Sequence, residues 1–254
     1  VIKEYCPQDL VARKPDGSLE PNGPLSQTPF RTGLEKFRFE AERMSAVRHP
    51  NVISVAEYFE ANNTLYMVMT HEEGRDLRWF MNKLAGDLDW GFLQQVFPPI
   101  GDGLWRMHQE GVVHLDVKPA NVLLRTSGQP LLLDFGAAQT MDNDDRFGSF
   151  QTLTHGFAPP EQYLDGNLGP WTDIYGLAAT IYNCITGDSP PSALKRRDGA
   201  SLEKLTVSRS GAYPYTLLKA VEDALSLDQG QRPRDMHAFL SLAFGASSPA
   251  PVRD

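Results

Sequence analysis

Three short segments hold the side chains of this sequence best suited to chemistry. In His114-Leu115-Asp116-Val117-Lys118-Pro119-Ala120-Asn121, a carboxylate, an ammonium and an amide follow one another at spacings of two and three residues. Asp134-Phe135-Gly136 comes directly after the apolar run Leu131-Leu132-Leu133, and Gly156-Phe157-Ala158-Pro159-Pro160-Glu161 stands further along the chain. A carboxylate can accept the proton of a hydroxyl, an ammonium can neutralise an anionic group, and Asp and Asn offer hard oxygen donors of the kind Mg2+ takes. The segments differ in specificity. An isolated Asp-Phe-Gly is a common turn, whereas Asp-x-Lys-Pro-x-Asn is a much rarer string. All three in this order make chance a poor explanation.

The elements that must position these residues fall into two parts. Residues 1–5 read as a short strand, and 7–33, rich in Pro, Gly, Ser and Asp, as a long loop. From Glu35 to Val47 the apolar residues Phe37, Ala41, Met44 and Val47 recur at helical spacing among charges, which predicts an amphipathic helix. His49-Pro50-Asn51 ends it, because proline disfavours helical backbone in the residue before it. Val52–Phe59 and Thr64–Met69 read as strands joined by a hairpin turn at Asn62-Asn63. After Gly74 the pattern is helical over Leu77–Lys83, Phe92–Gln109, Asp173–Thr186, Tyr215–Leu225 and Arg234–Phe244. Short apolar runs lie between, at Val112–Val113, Val122–Leu124 and Leu131–Leu133, and residues 136–170 are glycine-rich and irregular. This order predicts an α+β chain with a small strand-bearing part and a larger helical part, and ligands favour a cleft between such parts.

Composition narrows the class. With 254 residues, 41% of them hydrophobic and 22% charged, the chain has the proportions of a folded globular protein. Twenty-four Lys+Arg against 32 Asp+Glu leave a net charge of −8, which argues against nucleic acid as the main partner. The two cysteines, Cys6 and Cys184, are too few for a disulfide framework or a zinc site; buried inert thiols in a reducing compartment are the expectation. The longest apolar stretch, Gly176–Ile185, is broken by Thr180 and Asn183 and falls short of the ~20 residues a membrane span needs. The abrupt start at Val1, and linker-like composition over 246–254, lead one to expect more protein on either side.

The three opening segments resemble the catalytic loop, the metal-binding motif and the Ala-Pro-Glu-type motif of protein kinases. Phe39-Glu40-Ala41-Glu42 with His49-Pro50-Asn51 resembles the mobile helix of that family's small lobe. Val1-Ile2-Lys3 resembles the end of its Val-Ala-Ile-Lys strand, and Asp173 and Arg232 match two large-lobe positions. The likeness covers the chain from residue 1 to about 244. In detail it is similar to bacterial serine/threonine kinases of the eukaryotic-like (Hanks) type. The implied architecture is a two-lobe kinase fold. Residues 1–73 would form a partial N-lobe holding a strand, the long insert, the helix, two strands and the hinge. Residues 74–245 would form the helical C-lobe with its activation segment, and 246–254 a linker tail.

The resemblance also implies roles. Asp116 would orient the acceptor hydroxyl and take its proton, Lys118 would neutralise the transferring phosphoryl group, and Asn121 and Asp134 would bind Mg2+. Lys3 would hold the α- and β-phosphates of ATP, with Glu40 holding Lys3. Met69 would be the gatekeeper, and backbone groups of the hinge Thr70-His71-Glu72 would meet adenine. Leu123 belongs with the nucleotide-binding residues. Asp76 could reach the ribose or cap the helix beginning near Leu77. Thr154 resembles the threonine that contacts the catalytic Asp in Ser/Thr-specific kinases. The implied partner is a protein with a Ser/Thr acceptor, in the cytoplasm, with any membrane contact made through regions outside this chain.

Other residues have plainer readings. His114 is expected to pack, with Phe135 and Met44, in an apolar column. Glu161 and Arg232 are expected as a buried ion pair, and Asp173 as a support for the catalytic-loop backbone. The remaining histidines show no metal-ligand spacing, and Trp79, Trp90, Trp105 and Trp171 are expected in packing. Asp142-Asn143-Asp144-Asp145 reads as a solvated stretch of the activation segment, in which Ser149 and Thr152 lie where such kinases are often phosphorylated.

Two departures from the family stand out. The family's glycine-rich loop would precede Lys3; because the other phosphate-site residues are retained, it is expected ahead of Val1 rather than lost, the alternative being a form that holds ATP poorly. Leu115 stands where the family has the Arg that pairs with a phosphorylated activation segment, so activity is expected not to depend strongly on that phosphorylation. The insert 7–33 is a candidate surface for a regulatory partner. A pseudokinase scaffold that binds partners with little or no phosphoryl transfer is the alternative. A small-molecule phosphotransferase of the aminoglycoside-kinase type is less favoured, having no need of Ala-Pro-Pro-Glu or Thr154.

Overall fold

The computed structural model describes residues 1–84, 88–133, 139–140, 153–164 and 166–245. They divide into two compact units, Val1–His49 with Ile53–Glu72, and Pro50–Val52 with Glu73 onward.

The first unit is built on a three-stranded antiparallel sheet. Strand β1 (Ile2–Glu4) is followed by a small hairpin, β2 (Val11–Arg13) and β3 (Leu19–Pro21), then helix α1 (Pro24–Ala46), β4 (Val55–Ala61) and β5 (Thr64–Met69). The sheet order is β1-β5-β4, with Lys3 opposite Met67 and Tyr58 also opposite Met67 on the other side. Asn62 and Asn63 both have positive φ, 53° and 57°. That is the backbone of a tight hairpin turn, and asparagine tolerates it better than most residues.

The insert expected to be a loop is instead structured. Residues 11–21 form the β2–β3 hairpin, and α1 begins at Pro24, eleven residues before the expected helix. Two prolines and a glycine masked the helical pattern. Pro24 sits at the first helical position, where no N–H partner is lost. Pro29 gives up one backbone hydrogen bond inside the helix. The apolar stripe continues regardless: Phe30 lies one heptad before Phe37, and Phe30, Phe37, Ala41 and Met44 are all buried. Val11 and Leu19 of the hairpin form one buried cluster with Phe30, against which Tyr5, Cys6 and Leu10 pack. Tyr5 stacks on Phe30 and tilts against Phe37, with ring centroids 5.6 and 5.7 Å apart. It can do so because Gly33 has no side chain: a Cβ there would lie 1.9 Å from the Tyr5 hydroxyl.

The second unit is mainly helical. It contains β6 (Gly74–Asp76), α2 (Leu77–Leu84), α3 (Trp90–Gln109), β7 (Val112–Val113), β8 (Val122–Arg125), β9 (Pro130–Leu132), β10 (Gln139–Thr140), α4 (Pro160–Tyr163), α5 (Pro170–Thr186), α6 (Ala193–Arg197), α7 (Leu205–Ser208), α8 (Tyr215–Ala224) and α9 (Met236–Phe244). A small sheet ordered β6-β8-β9 and the pair β7–β10 flank the catalytic loop in sequence. Helix α5 is the core: Ile174, Tyr175, Leu177, Ala178, Ala179 and Ile181 are all buried, which explains why its sequence is apolar all round. Asp89 caps α3, accepting from the Phe92 amide, and Asp235 caps α9 from Ala238.

Two smaller expectations need correction. Of the tryptophans, Trp90 packs on Phe244 and Trp105 on His237, but Trp79 is exposed, with the Lys83 ammonium 4.6 Å from its ring centroid. Cys184 is buried and burial pushes its thiol up, as expected of an inert cysteine, but Cys6 is half-buried. No helix among the described residues is long and apolar enough to cross a membrane.

Candidate active site

In the second unit the catalytic loop is held from below by α5. Asp173, fully buried, accepts from three donors: the Leu115 amide on Oδ1 at 2.8 Å, and the His114 amide and His108 Nε2 on Oδ2 at 2.8 and 2.7 Å. Burial alone would raise its pKa, but the hydrogen bond and charge of His108, with the His114 amide, outweigh burial and hold it below the ordinary 3.8. His114 is fully buried and held by two hydrogen bonds, while Phe135, its expected partner in an apolar column, lies outside the described residues. Its Nε2 donates to the Leu133 carbonyl at 2.9 Å, and its Nδ1 accepts from the Asp116 amide at 3.3 Å. Both contacts agree with one neutral tautomer. They also tie the loop to the residue directly before Asp134, which lies outside the described residues together with Phe135, Ser149 and Thr152.

Above this support, three polar side chains converge on one carboxylate. Thr154 donates its hydroxyl to Asp116 Oδ1 at 2.9 Å, while that hydroxyl accepts from Lys118 Nζ, also at 2.9 Å. Lys118 pairs directly with Asp116 Oδ2 at 2.6 Å, and Asn121 Nδ2 donates to the same oxygen at 3.0 Å and to the Asp116 carbonyl at 2.8 Å. Asp116 and Lys118 remain about one-fifth exposed, so the cluster is open to a substrate. The Asn121 amide nitrogen is committed to Asp116, which leaves Oδ1 as the atom able to meet a cation. An amide oxygen is a hard donor of the kind Mg2+ takes.

The stretch after Thr154 is anchored by a buried ion pair. Arg232 meets Glu161 through both of its terminal nitrogens, at 2.6 and 3.0 Å, and Thr172 donates to Glu161 at 3.2 Å. Gly156 has φ +92°, and a Cβ there would lie 2.7 Å from the Pro190 carbonyl, so this turn requires glycine.

The first unit brings together Lys3 and Glu40, Nζ to Oε1 3.5 Å, across from strand to helix α1. Met69 is half-buried and pairs through its backbone with Val1; Thr70 is exposed, with its amide 3.3 Å from the Ser54 carbonyl, and Glu72 closes the unit. In the second unit Leu123 is buried in β8, opposite Asp76 and Leu131. Asp76 takes the capping role: Oδ1 accepts from the Trp79 amide at 2.9 Å. Met44 is buried in its own unit.

Two residues of the loop's support went unread in the sequence, His108 and Gln162. His108 is one of several histidines without any spacing signal. Gln162 stands beside Glu161 and donates to the Leu115 carbonyl at 2.9 Å; nothing in its neighbours marks it.

A carboxylate clamped by Lys, Asn and Thr, set over a buried aspartate and beside a Glu–Arg anchored segment, is the arrangement of a phosphotransferase of the protein kinase class. The protein kinase domain model matches residues 26–239. A solved chain described as "PpkA-294 apo form" superposes with a TM-score of 0.79 at 32% identity, covering 95% of this chain and 85% of that one. The serine/threonine-protein kinase PknA of Mycobacterium tuberculosis is 31% identical over 62% of this chain, and pkn2 of Myxococcus xanthus 27% identical over 84%. This chain belongs to the protein kinase domain family, and the curated relatives it matches are named serine/threonine-protein kinases of bacteria. It spans 38% of the length of PknA and 27% of pkn2.

Proposed function

We propose that the protein is an ATP- and Mg2+-dependent kinase that phosphorylates serine or threonine hydroxyls on other proteins. The observation that carries this reading is the clamped carboxylate of Asp116. Phosphoryl transfer asks a protein mainly for positioning and charge neutralisation. Asp116 supplies a fixed acceptor for the substrate hydroxyl proton, and Lys118 a charge for the transferring group. Asn121 fixes Asp116 through Nδ2, and with Asp134 it would bind Mg2+, which would neutralise phosphate charge. Lys3, steadied by Glu40, would hold the α- and β-phosphates. Backbone groups of Thr70 and Glu72 would meet adenine, with Met69 as the gatekeeper and Leu123 among the nucleotide-binding residues. Thr154 donates to Asp116 from the segment that precedes Gly156, where a Ser/Thr substrate chain would lie. A cytoplasmic setting for the kinase domain goes with this reading, and the structured insert 7–33 offers a surface for a regulatory partner.

The test is Asp116→Asn in the intact protein. Asn keeps the shape and loses the proton acceptor, so phosphate incorporation should fall by about 10²- to 10⁴-fold with the melting temperature little changed. Activity equal to that of the unsubstituted protein would sink the proposal.

A further inference from the structure

The peptide unit that carries Asp116 is bonded at both of its ends, and one of those bonds comes from a residue outside the catalytic loop. Its N–H, belonging to Asp116, donates to His114 Nδ1 at 3.3 Å. Its carbonyl, belonging to Leu115, accepts from Gln162 Nε2 at 2.9 Å. Leu115 itself is strained: its φ is +65°, a left-handed backbone that a bulky side chain rarely adopts. Such a conformation persists only where its surroundings over-determine it, and here they do. Asp173 takes the Leu115 N–H and Gln162 takes the Leu115 C=O.

Gln162 is poorly satisfied in return. Its amide oxygen is buried with no partner among the described residues. A buried orphan acceptor costs stability, so a residue retained in that state is not explained by packing alone. Its neighbour Glu161 is locked to Arg232, which fixes the backbone from which Gln162 reaches. The side chain at 115 meanwhile is Leu, buried, and cannot form the charge-assisted bond by which an arginine would tie this loop to a phosphorylated segment.

We propose that Gln162 is a positioning residue for phosphoryl transfer: it holds the Leu115–Asp116 peptide in its left-handed setting and links the Glu161-anchored segment to the catalytic loop without a phosphate. This inference rests on the kinase reading. It assigns Gln162 no contact with substrate; it acts through the direction in which Asp116 points.

The experiment follows the initial rate of autophosphorylation of the intact protein across an ATP titration. Gln162→Met keeps length and removes both the donor and the orphan oxygen. The maximal rate should fall by about 10- to 100-fold, the scale on which a misplaced reacting group loses rate, while the KM for ATP and the melting temperature stay near those of the unsubstituted protein. In a Leu115→Gly background, where glycine adopts positive φ without strain, adding Gln162→Met should cost less than about threefold, so the two substitutions are coupled. An unchanged rate in Gln162→Met overturns the inference. So do losses that multiply independently in the double variant, or a rate loss matched by a fall in melting temperature. An unsubstituted protein that incorporates no phosphate sinks the kinase reading itself, a result separate from any of these.

Discussion

The two units hold their charged residues in opposite ways. In the second unit Asp116 and the loop beneath it are over-determined: the Asp116 carboxylate takes three side-chain donors, and the supporting Asp173, Glu161 and Arg232 are buried. In the first unit the Lys3–Glu40 pair is long, at 3.5 Å, and part-exposed, with 28% and 12% of the side chains open to solvent. Its geometry depends on how α1 is seated, and α1 is seated by aromatic packing and the β2–β3 hairpin. The lesson is that one unit stores its geometry in buried hydrogen bonds and the other in apolar contact.

Substitutions can break this comparison, and the largest effect should fall in the second unit. Glu161→Ala leaves Arg232 charged, buried and unpaired, and should cost about 3–5 kcal/mol of unfolding free energy, measured by denaturant titration. A loss under 1 kcal/mol would show that the anchor is weaker than its geometry. Next comes Asp173→Asn, expected to cost about 1.5–3 kcal/mol at neutral pH, the range for hydrogen bonds to a charged group. Its pH dependence sharpens the point. The folded-state pKa of Asp173 lies below the ordinary 3.8, so its contribution is complete above that value and is lost as pH falls through the folded pKa. The stability gap between the protein and Asp173→Asn should therefore shrink as pH falls below about 4; a gap that stays constant through that range would overturn the assignment.

In the first unit Gly33→Ala should cost about 1–3 kcal/mol, the range for overpacking, because the new methyl would displace Tyr5. Thermal unfolding reads it, and an unchanged midpoint would mean that Tyr5 moves freely. Glu40→Gln should change stability by less than about 1 kcal/mol, as expected for a part-exposed pair. In the kinase reading it should still lower kcat/KM for ATP by about tenfold, or 1.4 kcal/mol in the barrier. The smallest effect is expected from Ser149→Ala with Thr152→Ala. With Leu at 115 that position offers no arginine to a phosphate, so the rate should stay within about threefold of the unsubstituted protein, a difference of less than 1 kcal/mol.

Much of the site was legible because its residues are close together in sequence. Asp116, Lys118 and Asn121 lie within six positions, and a turn as tight as the Pro119–Asn121 helical turn brings Asn121 back onto Asp116 whatever surrounds it. Thr154 and the Glu161–Arg232 pair were legible only through family likeness, since 38 and 71 residues separate the partners. The β2–β3 hairpin and the early start of α1 were missed for a different reason. Pro24, Pro29 and Gly33 lower local helix propensity, and the burial of Phe30 against Val11, Leu19 and Tyr5 overrides it, a gain that no local window contains.

By itself, then, the sequence determined the order of the main elements outside the insert 7–33, the charge balance and the short-range chemistry of the catalytic loop, because these depend on residue type and on spacings of a few positions. Only the tertiary structure decided that Gln162 reaches the Leu115 carbonyl, that His108 shares Asp173 with the loop, and that Gly33 receives Tyr5. Each of these joins residues far apart in the chain. Their partners are selected by where helices and strands come to rest, and that is set by the burial of apolar surface across the whole unit.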